Sequence, residues 1–374
     1  MKQKLAAQLL AHYLEWDDED AQEEIKYLQF MARLKYDHYH NFEPGMRFIA
    51  SLAMWLSQFK TIEEQQSAYE FVKTKLMFIS NDEINQLVDI AYPERIFPVI
   101  LKQVAQELNK PTYCVKKIED SQLFKVQKRK SLFLGMSDGC RIDILRRRAF
   151  LDNEQVSASY ELSEHKCADL KKDLQEWLTK ENDTSEPYFV NIFLVDDFSG
   201  SGTSIIREKA GKLKGKLNTL MELLSQEKKW DSRITSKETN LYLLLYVATE
   251  QALKHIRSLL PRLTEKHNGD IQVLEPLQSL KTNYRDLPKE LPKDFSDVIK
   301  KYYDPRARDK HTDVGGTKDV RYGYAGCGLS LIFEHNTPNN SLALLWADWD
   351  EKDEKNPGMK ALFPRISRHK EERP

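Results

Sequence analysis

One stretch limits what this chain can fold into more than any other: Asn191-Ile192-Phe193-Leu194-Val195-Asp196-Asp197-Phe198-Ser199-Gly200-Ser201-Gly202-Thr203. Ile192 to Val195 is a continuous apolar run, the pattern of a strand covered on both faces. Asp196 and Asp197 follow at the strand's carboxyl end, where open α/β sheets bind ligands. Carboxylates there accept hydrogen bonds from sugar hydroxyls or hold the waters of a metal. Ser199, Gly200, Ser201, Gly202 and Thr203 carry no bulky side chain, so a ligand can approach the backbone closely. Ser204 to Glu208 reads as the start of a helix, and loop amides at a helix N-terminus form an anion site. An ordinary strand-to-helix turn with a capping hydroxyl explains fewer of these features together. No Gly-Lys-Ser/Thr closes the loop, so it is not a Walker loop.

The flanking segments continue the alternation. Leu132 to Arg148 reads as strand, glycine turn and helix, with Gly135 and Gly139 in the turn and Arg141 opening the helix. A helix from about Ser163 to Thr179 presents Cys167, Leu170, Leu174 and Leu178 to a sheet. A helical pattern follows Thr203 to about Leu224, loosened by Gly211 and Gly215. Asn240 to Ala248 is a second buried strand, with a helix over Gln251 to Leu260. Strand, helix, strand, helix, strand is the parallel crossover pattern. A short strand at Ile271 to Leu274 and a helix at Asp294 to Tyr303 come next.

Lys310 to Tyr324 is glycine-rich, basic and aromatic, either a lid over an anionic substrate or a surface loop. Lys318 and Arg321 are its candidate cations. Gly328–Glu334 and Ser341–Trp346 read as a last strand pair. The linker between them, His335 to Asn340, holds Asn336 and Asn339, able to read a base or sugar; its composition also suits a plain turn. Trp346, Trp349 and Leu362 to Arg365 are candidates for a wall against which a base stacks.

Residues 1 to about 112 read as helical, with apolar faces such as Phe48, Leu52, Trp55, Leu56 and Phe59. Ser80 and Glu83 make a capping-box pattern. The expected division is a helical or winged-helix domain over 1–115 and a second domain over 116–374. Arg33, Lys35, Tyr36, His38, Tyr39 and His40 allow nucleic-acid contact or partner docking, while acidic Glu15 to Asp20 argue against a broad phosphate-binding face.

Composition excludes several classes. With 57 basic against 58 acidic side chains, the whole chain gives no argument for nucleic-acid or membrane attraction. Cys114, Cys140, Cys167 and Cys327 have no zinc-type spacing and read as reduced cytosolic thiols. The N-terminal residues lack a signal-peptide pattern, and no run approaches the roughly 18 apolar residues of a membrane span. The expectation is a soluble, cytoplasmic protein without a membrane partner.

The apolar strand, the Asp-Asp pair and the loop ending Gly202-Thr203 resemble the phosphoribosyltransferase (PRTase) signature. The resemblance covers about residues 130 to 365. It implies an α/β fold of the type I PRTase kind, a mostly parallel sheet flanked by helices, preceded by an all-helical or winged-helix N-terminal domain. It further implies phosphoribosyl pyrophosphate (PRPP) or a related phosphoribosyl nucleotide as ligand, with Mg²⁺. Asp196 and Asp197 would then hold the ribose hydroxyls, directly or through metal-bound water, and Ser199 to Thr203 the 5′-phosphate. Arg141, with Lys318 or Arg321, would offset the pyrophosphate, and the segment holding Asn336 and Asn339 would present the nucleophile. Gly135–Arg147, His335–Trp346 and Leu362–Arg365 resemble a branch of that family from bacterial conflict and retron-type antiviral loci, which implies a defence-operon partner. One departure matters: Gly200 stands where many relatives keep a side chain, in purine-salvage members an Asp that assists proton transfer. Three readings stay open: a glycosyl-transferring effector, a catalytically silent nucleotide sensor, and a subunit of a defence complex.

Overall fold

The computed structural model describes residues 3–225, 234–267, 269–281, 293–308, 312–349 and 358–366. The described strands are β1 (Met77–Ile79), β2 (Ser131–Gly135), β3 (Val156–Ser157), β4 (Phe189–Ser199), β5 (Arg207–Lys209), β6 (Lys212–Lys214), β7 (Thr235–Thr249), β8 (Ile271–Val273), β9 (Gln278–Leu280) and β10 (Leu331–Phe333). The chain forms two compact units, Ile84–Lys281 and Met1–Glu83 with Thr282–Pro374.

The unit Ile84–Lys281 is built on a six-stranded sheet in the order β3-β2-β4-β7-β8, with β9 also on β7. Every pairing in it is parallel. The apolar run of β4 lies opposite both neighbours, Leu194 facing Leu134 of β2 and Leu243 of β7. Side chains alternate between faces along a strand. Ile192 and Leu194 join a core with Cys167, Leu170, Leu174 and Leu178 of the helix Glu164–Lys180. Phe193 lies flat between Phe133 and Tyr242, with ring centroids 5.1 and 4.9 Å away. The buried Asn191 amide is satisfied by Gln103 at 2.8 Å, from the helix Phe97–Glu107. The mostly parallel sheet flanked by helices is the architecture the sequence predicts.

The segment after Thr203 differs from the expected continuous helix. Ser204 to Ile206 form turns, β5 and β6 form an antiparallel hairpin, and helix begins only at Lys216 (Lys216–Ser225). Ala210 and Gly211 have φ of 51° and 75°. Two consecutive positive φ values suit a two-residue hairpin turn whose twist matches the strands. Ile205 and Ile206, read as helical, are instead buried at the root of the hairpin.

The other unit is helical over its N-terminal part, with helices Gln3–Leu14, Asp18–Leu34, Phe48–Leu56 and Ile62–Lys75. Ser80 and Glu83 make the reciprocal capping bonds, at 2.8 and 3.2 Å. The expected cut near residue 115 does not coincide with the limits of the units, because the N-terminal helices share a core with the C-terminal segment. Phe71 stacks on Phe295 at 4.4 Å. Trp55 donates to the Leu344 carbonyl and Ser51 to that of Leu362, both at 2.7 Å. The strand pair of this unit joins β1 to β10 in parallel, not as the antiparallel hairpin of a wing. Ser341–Trp346 is not a strand: Ala343–Trp346 closes one helical turn, and only an isolated bridge joins Leu329 to Ser341. A short apolar run reads equally as strand or buried helix. The tail Arg368 to Pro374 lies outside the described residues, as do Lys310 and His311.

Phe363 is fully buried and stacked on Phe42 and Phe48, at 5.6 and 5.7 Å. Phe363→Ala is therefore expected to cost this unit about 3–5 kcal/mol, read as a lower urea midpoint. An unchanged midpoint would contradict the packing described.

Candidate functional site

The signature loop is fixed from below by the next helix. Thr249, the last residue of β7, donates its hydroxyl to the Gly200 carbonyl at 2.6 Å and accepts from the Ala252 amide at 2.9 Å. One side chain thus caps the helix Glu250–His267 and pins the loop. Gly202 has φ of 77°, and a Cβ there would meet the Ala252 carbonyl oxygen at 2.9 Å. Conformation and space both require glycine at this position. The Ser201 and Thr203 hydroxyls lie 3.0 Å apart. The amides of Ser201 and Gly202 donate to no backbone carbonyl among the described residues. The Ser199 hydroxyl is buried without a hydrogen-bond partner among them. An anion docking on this loop meets unspent donors.

Consecutive strand residues project to opposite faces, so the two carboxylates have different neighbours. Asp196 is 2% exposed. Its Oδ2 receives Lys216 Nζ at 2.7 Å, and its Oδ1 receives the Ser137 hydroxyl and, at 3.2 Å, the Asp197 amide. Asp197 is half-buried, its Oδ1 accepting from the Phe198 amide at 2.9 Å and lying 3.4 Å from Ser137 Oγ. Its other oxygen faces Gly139, where a Cβ would come within 2.1 Å of it. A side chain at Gly139 would displace the Asp197 carboxylate, so the turn after β2 packs closely on the end of β4. Gly135 serves the same turn, since its Cβ would strike Cys140 Sγ at 2.6 Å.

Arg141 sits in this turn with φ of 49° and opens the helix Ile142–Arg148. Its Nη1 donates to Asn85 Oδ1 at 3.1 Å. Beneath the carboxylates lies Tyr246, fully buried, with a hydroxyl that has no hydrogen-bond partner among the described residues. Burial holds its pKa well above the ordinary phenol value, helped by Cys140, Asp197 and Asp196, with Arg141 opposing. Burial also raises the Cys140 thiol. Both groups stay neutral at physiological pH.

The structure thus gathers Asp196, Asp197, Arg141 and Ser199 to Thr203 in one unit. The remaining candidates belong to the other unit. There Lys318 is exposed. Arg321 pairs with Asp319 at 3.2 Å and lies over the Tyr303 ring at 5.3 Å. Asn336 braces the C-terminal segment, donating to the Ile366 carbonyl at 2.9 Å and accepting from the Ile366 amide at 3.2 Å. Asn339 offers its carbonyl to the Tyr324 amide at 2.6 Å. Trp346 donates to the Ser341 carbonyl at 2.8 Å and carries Arg365 over its ring, so both faces are not open to a base.

Sequence reading missed Lys216, Ser137 and Tyr246. Lys216 was hidden inside an expected helix. Ser137 stands between the two glycines of the β2 turn, which is the signal that marks it. Tyr246 looked like one more residue of an apolar strand.

The resemblance implies Mg²⁺ at Asp196 and Asp197, and the donor set tests this. Among the described residues no group of three His, Cys, Asp or Glu is placed to hold a metal. Lys216 takes the Asp196 oxygen that a directly bound cation would need. A directly ligated ion does not fit at Asp196.

Lys216→Met is expected to leave a buried carboxylate without its cation, lowering stability by about 2 kcal/mol. Asp196→Asn should recover part of that loss in the double variant, a non-additivity that a double-mutant cycle reads. Strict additivity would show that the ion pair contributes nothing.

Among the described residues no helix is long and apolar enough to cross a membrane. No curated protein and no solved structure matches the chain. The family model PRTase-CE matches residues 52–365, across β4 and its loop and across most of the helical unit. The chain belongs to the PRTase-CE family and is a phosphoribosyltransferase-like protein.

Proposed function

We propose that the loop after β4 binds PRPP or a related phosphoribosyl nucleotide, and that the chain transfers the phosphoribosyl group to an acceptor. The observation that carries this reading is the juxtaposition at one strand end of two carboxylates, a glycine loop whose Ser201 and Gly202 amides meet no backbone carbonyl among the described residues, and the buried Ser199 and Tyr246 hydroxyls, without partners among them. In this reading the Ser201 and Gly202 amides and the Thr203 hydroxyl hold the 5′-phosphate. Asp197, and Asp196 once Lys216 moves away, accept from the ribose hydroxyls. Arg141 offsets pyrophosphate charge.

In the transfer the bond from C1 to the pyrophosphate oxygen breaks, and its electron pair leaves with pyrophosphate. An acceptor lone pair forms the new bond to C1, and the acceptor's proton passes to pyrophosphate or solvent. Positive charge develops on the ribose as the first bond loosens, and the fixed carboxylates favour it. Gly200 brings no side chain, so no general base acts from that position. The acceptor must then be a nucleophile that needs none there. If Mg²⁺ takes part, Asp197 would hold its waters and the ion would supply charge to offset the pyrophosphate. The resemblance to the antiviral branch supports a defence role with an operon partner, and nucleic-acid contact through residues 1–115.

A second reading has its own observation. Lys216 on Asp196, with Gly200 beside it, also suits a silent sensor that binds the nucleotide without turnover. Titration calorimetry with PRPP and Mg²⁺, joined to a pyrophosphate-release assay, separates the two. Binding is expected, with Asp197→Asn weakening it about tenfold or more through loss of a charge-assisted hydrogen bond. Release that vanishes in Asp196→Asn and Asp197→Asn supports transfer, and binding without release supports the sensor. Absence of binding at about 1 mM ligand, the upper end of ordinary substrate affinities, sinks both.

A further inference from the structure

Beside the signature loop, and on the same unit, lies a cleft of about 1080 Å³ that begins at Ser204. Six cations line it: Arg207, Lys212 and Lys214 from the hairpin, Lys216 from the helix after it, and Arg262 and Lys266 from the helix Glu250–His267. Among the described residues only two carboxylates, Glu222 and Glu265, line it with them. Three of the cations are already engaged: Lys216 by Asp196, Arg262 by Glu208 and Lys266 by Glu222. Arg207, Lys212 and Lys214 have no carboxylate partner among the described residues. Arg207 donates from Nη1 to the Thr203 carbonyl at 3.1 Å, and its Nε is buried with no hydrogen-bond partner among the described residues. A buried guanidinium nitrogen left unsatisfied is costly, and an anion in the cleft would satisfy it. Tyr160 adds an aromatic ring to the wall.

We infer that this cleft is a second binding site, for a nucleoside polyphosphate, next to the loop proposed to take the phosphoribosyl group. Its volume exceeds what one phosphate fills and lies at the upper end of nucleotide-sized pockets. Clustered cations raise the local concentration of anions, and a planar base has the Tyr160 ring to meet. Lys216 is the one side chain common to cleft and carboxylate pair, so a polyphosphate in the cleft competes with Asp196 for it. The inference goes beyond the proposed transfer and, apart from Lys216, stands on different residues, so either can fail alone.

The test uses the full chain and titration calorimetry with ATP and with inorganic tripolyphosphate, in the presence and absence of PRPP. ATP is expected to bind with PRPP present. Lys212→Glu/Lys214→Glu should weaken ATP about tenfold or more and leave PRPP binding within about twofold. Asp197→Asn should do the reverse. Both lysines are exposed, and thermal melting checks their folding; Lys266→Ala gives an independent reading if the hairpin variant melts early. Tripolyphosphate alone should bind more weakly than ATP. No ATP binding overturns the inference. So does ATP binding that PRPP displaces and Asp197→Asn abolishes while the lysine variant leaves it intact. A 5′-phosphorylated oligonucleotide that binds where ATP does not also overturns it.

Discussion

A carboxylate buried at the end of a strand covered on both faces has to be neutralised, and Asp196 is neutralised by Lys216 at 2.7 Å. Removing an ionised carboxylate from water costs several kcal/mol unless it is paired and hydrogen-bonded. Ser137 and the Asp197 amide supply the hydrogen bonds, and Lys216 the charge. Much of the local backbone follows from placing that lysine. It lies twenty residues beyond Asp196. The hairpin spends the intervening residues and returns the chain, and Gly215 lets it pass the Ile205 carbonyl. A Cβ at Gly215 would meet that oxygen at 2.7 Å, and its φ of 107° excludes other residues in any case. The loop, the hairpin and the helix start are thus one device around one ion pair.

The sheet was legible because its signals are local. Ile192 to Val195 and Leu241 to Val247 are apolar on both faces, and only a covered parallel strand accommodates that. Asp196, Asp197 and the Ser199 to Thr203 loop stood out because charge and glycine interrupt the run at the strand end. Gly135, Gly139 and Arg141 were readable for the same reason. The structure adds what those glycines face: Gly135 the Cys140 thiol and the Ala158 carbonyl, Gly139 the Asp197 carboxylate.

What the sequence hid depends on partners far away along the chain. The hairpin after the loop lies in a stretch of helix-compatible composition, and only Gly211 and Gly215 announce it. Ala210 takes φ of 51° without being glycine, held by hairpin geometry that no single-residue propensity records. The helical unit closes through contacts such as Trp55 to Leu344, 289 residues apart, so a boundary drawn from local composition could not find its limits. Arg129 and Lys130 look like surface charge, yet both are buried. Arg129 lies 3.3 Å from Asp152 and over the Trp177 ring at 6.0 Å. The polar run His335 to Asn340 suits ligand reading and internal bracing equally, and the Asn336 side chain bonds within its unit to Asn41 and Ile366.

Lys216 also sets the order of events at the proposed site. With the lysine in place, both Asp196 oxygens are engaged. A phosphate-rich ligand offers the ammonium a stronger partner than one carboxylate, because charge density on phosphate is higher and the cleft already concentrates positive potential there. On the proposed reading, drawing Lys216 away would leave Asp196 negative and buried beside the ribose. That is the arrangement in which developing positive charge on the sugar gains most, since the surroundings screen it little. The same carboxylate would be unstable without a cation in the empty site. On the proposed reading, the ion pair that holds the loop together in the free protein therefore also withholds full catalytic charge until an anionic ligand arrives.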